Sequence, residues 1–163
     1  MKNWQRRLLG ILALGGGASG ISSTVNAVVQ GQVLAISAFI PIVFALAFFV
    51  WGVWCGVLML EGTKKALYPN AVFWLAQTPL LQTPVLAYTA FCGAQLQVFV
   101  KLSPFEAGIS SSLLGAQFGM GIGQPGARIT VGVNLFALCV SLWLIQKCKR
   151  AEQNLILDAT TSA

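Results

Sequence analysis

The sequence predicts an all-α, polytopic membrane protein with three to four transmembrane helices, a proline-broken segment and a glycine-rich re-entrant or interfacial segment. Three observations carry that expectation. Of the 163 residues 56% are hydrophobic and 9% charged, where a soluble domain is about 45–50% apolar and roughly 25% charged. The charges are segregated, since residues 8–60, 66–100, 107–127 and 129–146 carry none. Eight of the ten basic residues also fall on one side of a consistent topology. Ten Lys/Arg and four Asp/Glu cannot cover a water-facing surface of this size, which excludes a disordered chain, a coiled coil and an ordinary soluble enzyme.

The N-terminus pairs a basic start (Lys2, Arg6, Arg7) with a short apolar run over 8–14 and a Gly/Ser-rich stretch reaching Val25-Asn26-Ala27. That order describes a secretory signal peptide over residues 1–27. The same residues also describe a retained first transmembrane helix, in which Gly16 and Gly20 form a small-xxx-small packing pair. Both readings place the following chain on the outer side.

Residues 33–60 are the strongest span, dense in Phe, Val, Ile and Leu, with Trp51 and Trp54 towards the inner end and Pro41 as a kink or helix start. Glu61 to Lys65 closes it, with an i,i+4 ion pair expected between those two residues. Tyr68-Pro69-Asn70 reads as a turn. Residues 71–100 hold Pro79 and Pro84, so the expectation is a short amphipathic piece near 71–78, a break, and a crossing over 84–100. Residues 107–123 are weakly hydrophobic and glycine-rich, end at a Gln124-Pro125-Gly126 turn, and are expected to re-enter or lie at the interface. Residues 129–146 form a final span, closed by Lys147, Lys149 and Arg150, and 151–163 a polar cytoplasmic tail. The helical membrane domain thus covers residues 28–150.

Crossings at 8–29, 33–60, 84–100 and 129–146 put Lys2, Arg6, Arg7, Lys64, Lys65, Lys147, Lys149 and Arg150 on the cytoplasmic side, leaving Lys101 and Arg128 outside. That asymmetry fits the positive-inside rule for a bacterial inner membrane. It also accounts for the net charge of +6 without nucleic acid as a partner; the partners expected are the lipid bilayer and other membrane proteins or further copies of this chain.

Histidine is absent, so zinc, haem and non-haem iron sites have almost no ligands to draw on. Neither a metal nor another cofactor is expected. Cys55, Cys92, Cys139 and Cys148 form no CxxC pair and read as small packing residues kept reduced. There is no GxSxG, no P-loop, and no GxGxxG following a strand, and the serine clusters at 22–23 and 110–112 have no His base. No catalytic residue is assigned.

Two groups remain as candidate sites. Ser111, Gly115, Gly119 and Gly123 lie on one face if 107–123 is helical, giving a packing or oligomerisation face. Gln77, Gln82, Gln95, Gln97, Gln117 and Asn134 lie in apolar surroundings, where an unbonded amide is costly. They either line a polar path or bond between helices, and Gln95 and Gln97, two apart, cannot share a helix face. The functional expectation is a non-enzymatic inner-membrane subunit of a larger bacterial assembly, of secretion or conjugation type by analogy of size and layout. A self-oligomerising pore former such as a phage holin, and a small transporter, are the alternatives.

Overall fold

The described part of the charge-free run 8–60 lies mostly in two antiparallel helices, α1 (Asn3–Val29) and α2 (Ile36–Glu61). In this computed structural model the described residues are 1–30, 36–102, 104–123 and 128–161, so the start of the 33–60 span, the Gln124-Pro125-Gly126 turn and the last two residues of the tail lie outside them. Glycines let the two backbones approach. A Cβ on Gly17 would stand 2.7 Å from the Phe49 carbonyl oxygen, and one on Gly56 would stand 2.8 Å from the Gly10 oxygen. Pro41 sits inside α2 rather than at its start. The helix ends at Gly62, whose φ of +78° suits a residue without a side chain. The Arg6 guanidinium lies against Gly62, at the negative end of the α2 dipole. That contact places the start of α1 beside the end of α2.

A 3-10 turn (Lys64–Ala66) leads into α3 (Leu67–Ala76). Tyr68-Pro69-Asn70 is therefore the first turn of a helix, where proline costs no hydrogen bond because the first amides have no helical acceptor. Asn70 Nδ2 donates to the Cys55 carbonyl at 3.0 Å and to the Ala66 carbonyl at 2.9 Å, tying α3 to α2. Glu61 and Lys65 do not pair; among the described residues the ion pair is Lys101 to Glu106.

The chain beyond α3 overturns the all-α expectation. There β1 (Pro79–Gln82), β2 (Leu86–Leu102), β3 (Phe105–Ile122) and β4 (Thr130–Asn134) form a curled antiparallel sheet. Thus the expected crossing over 84–100 falls largely in strand β2, and the expected re-entrant helix over 107–123 falls largely in strand β3. Residues 129–146 divide between β4 and the first half of α4 (Leu135–Thr161). The tail is helical through Thr161. Among the described residues two helices, not three or four, are long and apolar enough to cross a membrane, the most apolar 18-residue stretches of Asn3–Val29 and Phe39–Glu61 having mean hydropathies of 1.5 and 2.4.

Residue types explain the strands. Segment 86–102 is rich in aromatic and β-branched side chains (Tyr88, Thr89, Phe91, Val98, Phe99, Val100), which suit a pleated surface. Pro79 opens β1 and Pro84 lies between β1 and β2, positions where no ladder amide is needed. Phe99 is flanked by Gly108 on β3 and Gly132 on β4, its directly paired neighbours. A Cβ on either glycine would fall within 2.8 Å of Phe99.

The sheet closes partly on itself. β2 bends at Gly93 and Ala94, where Leu114 is the extra residue of a bulge on β3. Gly93 has φ +97° and Leu114 φ +57°. The first half of β2 pairs with β1 and its second half with β4, while β1 and β4 pair with each other. Along its whole length the other side of β2 pairs with β3. The core lies between sheet and helices, where Phe48, Phe73 and Phe118 stack with centroids 5.4 and 5.5 Å apart. Trp74 meets Phe136 of α4 at 5.6 Å.

Candidate functional site

Period two governs the strands, so Gln95 and Gln97, which no helix could align, share one face of β2. Following the register outward, Gln82 pairs with Ala87 and Thr130, Lys101 with Thr130, Gln97 with Ser110, and Phe91 with Gln117. All of these lie on that same face, away from the helices. There Gln82, Thr89, Gln97, Ser110, Gln117 and Thr130 line a cleft of about 540 Å³, with Leu80, Phe99 and Met120 as apolar wall. Gln97 and Thr130 are each 8% exposed, and their side chains line the cleft with no hydrogen-bond partner among the described residues.

Lys101 also lines the cleft. Its ammonium stands 2.9 Å from Glu106 Oε2 and 5.5 Å from the Phe99 ring centroid. The Lys101 hydrogen bond and charge, with a smaller contribution from Arg128, hold the Glu106 carboxyl below its usual range. The cleft therefore offers amides and hydroxyls, groups that both donate and accept hydrogen bonds. Nothing in it pairs a nucleophile with a base. Among the described residues no three of His, Cys, Asp or Glu gather where a metal ion could be held.

Of the amides singled out by sequence, Gln82, Gln97 and Gln117 meet in this cleft, and three do not. Gln77 Oε1 accepts from the Cys92 amide at 2.7 Å. Asn134 Oδ1 accepts from Leu96 N at 3.1 Å and from Ala137 N at 3.3 Å, the second contact capping α4. Gln95 Oε1 is buried without a partner. Sequence reasoning missed Thr89, Ser110, Thr130 and Lys101; the alternation of polar residues over 93–97 and of glycines over 119–123 carried the strand signal.

The glycine series is dispersed. Gly115 and Gly119 face the cleft side and make room for Phe91 and Thr89, with Cβ positions 3.0 Å from each. Ser111 pairs with Leu96 beyond the bulge, on the opposite face, because Leu114 shifts the alternation by one. Gly123 lies past the strand and donates its amide to the Val85 carbonyl at 3.0 Å. A single helical packing face is not formed. Of the four cysteines, Cys55 and Cys92 are buried and Cys139 is exposed, and among the described residues no two are joined in a disulfide.

The outer edge of β3 has no strand beside it among the described residues. It runs for 18 residues. Apolar side chains stand out along it, with Phe105 77%, Leu113 80% and Ile122 78% exposed.

Together these features define a class: a helical hairpin joined to a partly closed sheet that carries a polar-lined cleft on the face away from the helices. No protein-family model, curated protein or solved structure matches the chain.

Proposed function

We propose that this protein is a non-enzymatic integral subunit of a larger bacterial inner-membrane assembly, of secretion or conjugation type. The α1–α2 hairpin anchors it, its C-terminal helix is cytoplasmic, and the free edge of β3 takes a strand from a partner. The edge carries the reading. In water a long apolar edge templates aggregation, and in hydrocarbon its unpaired amides and carbonyls are not tolerated. Either setting calls for a partner strand. The exposed stripe of α2 through Phe39, Val43, Val50, Trp54 and Val57 supports lipid contact, since these positions follow one helical face.

Native mass spectrometry of the C-terminally tagged chain, purified in mild detergent, tests the reading. Unrelated partners at fixed stoichiometry are expected. A homo-oligomer with nothing else bound favours the self-assembling pore former, because the same edge accepts a second copy. A lone monomer rules out both. The pore reading no longer has a helical glycine face behind it, and the small-transporter reading has in its favour only the cleft amides.

A further inference from the structure

Where α1 begins, α1 and α4 leave a groove of about 480 Å³ between them. Trp4 and Leu8 form one wall; Phe136, Val140 and Trp143 form the other, with Cys139 beside them. The lining is almost wholly apolar. Phe136, Val140 and Trp143 are spaced by four and three residues, and the same helical stripe continues to Lys147 and Arg150. Lys147 Nζ stands 5.9 Å from the Trp143 ring centroid. Neither cation meets a carboxylate among the described residues, where the ion pair is Lys101 to Glu106. Arg6 at the same end is turned towards Gly62.

Apolar body, indoles and, one and two turns beyond Trp143, two cations without a carboxylate partner among the described residues form a graded surface. Two turns of a helical peptide, about 10 Å across and roughly 11 Å long, would need close to twice this volume. An extended acyl chain is narrower and needs no hydrogen bonds from the walls. We propose that the groove holds an acyl chain of an anionic phospholipid, with its phosphate on Lys147 and Arg150. Basic pockets at the cytoplasmic side of membrane helices recognise anionic headgroups by the same charge complementarity, and Trp at that level suits the interface. This inference rests on the membrane reading of α1 and α2.

The test uses the full chain in detergent micelles doped with phosphatidylglycerol or phosphatidylcholine of matched acyl chains, read by native mass spectrometry. One phosphatidylglycerol retained per chain, in preference to phosphatidylcholine, is expected. Lys147→Gln and Arg150→Gln should each lower that preference about fivefold. In a Cys148→Ser background, phosphatidylglycerol should slow maleimide labelling of Cys139. Equal retention of the two lipids, a preference unchanged in the double variant, or Cys139 labelling indifferent to lipid each overturns the proposal. Carbonate extraction of membranes reports on the reading beneath it. A chain that washes off overturns both, whereas one that stays but shows no lipid preference overturns the groove assignment alone.

Discussion

Gln77 and Asn134 mend the same gap in the sheet from opposite ends. Gln77 follows α3 and Asn134 ends β4, and their side-chain oxygens take the Cys92 and Leu96 amides of β2 at 2.7 and 3.1 Å. These amides lie between the stretch of β2 that pairs with β1 and the stretch that pairs with β4. A buried amide left without its acceptor costs about 1–3 kcal/mol. Gln77→Leu and Asn134→Ala should each lower stability by that amount in a denaturant titration in detergent. Asn134→Ser keeps the helix cap but cannot reach β2, and should fall between Asn134→Ala and the parent. If it matches the parent, the ladder contact is without weight.

The crossing of α1 over β2 depends on Gly16. A Cβ there would overlap the main chain of Cys92 and Gly93, whereas one on Gly15 would meet only Leu114 Cδ2 at 3.8 Å. Gly16→Ala should destabilise by at least about 1–3 kcal/mol, and Gly15→Ala should be near neutral. Thermal unfolding of the pair checks this, and equal effects would argue against the crossing.

Leu114 occupies left-handed backbone at φ +57° with its side chain exposed. That conformation costs a non-glycine residue roughly 1–2 kcal/mol. Leu114→Gly should therefore raise stability by about 1 kcal/mol, less any entropy that glycine adds to the unfolded chain. A lower unfolding midpoint would show that the bulge needs the leucine side chain.

The β3 edge is tested by charge placed on its exposed side chains. Ile109→Lys with Leu113→Lys should abolish co-purification of partners while leaving the monomer's circular dichroism unchanged, because inserted lysines block edge-to-edge pairing. Partners retained at parental stoichiometry would move the interface elsewhere.

Glu106 gives the hairpin tip a pH dependence. Its carboxyl titrates below the usual value because Lys101 bonds and attracts the ionised form. The pairing is therefore fully present above the unfolded carboxyl value, about 4.3, and is lost as pH falls through the lower folded value. Carbon-detected NMR should place the Glu106 midpoint below that of a model glutamate, and Lys101→Gln should raise it. An unshifted midpoint in the parent would mean the ion pair does not persist.

Composition and charge order determine a good part of this protein. The charge-free run 8–60 holds most of the two helices that, among the described residues, are apolar enough to cross a bilayer, and Pro79 and Pro84 mark real breaks in the chain. Gly16 is a point of close approach, although what it approaches is the main chain of strand β2. Residues 84–122 were not legible as a sheet, because a charge-free apolar run is compatible with helix and strand alike. The alternation at Gln95 and Gln97 is brief, and the i,i+4 spacing of Gly115 and Gly119 fits either period. A helix satisfies its amides within its own turns, while β2 sends its amides to β1, β3, β4 and the side chains of Gln77 and Asn134. Only the arrival of those partners in space decides for the strand, and with it for the polar cleft that the strand faces.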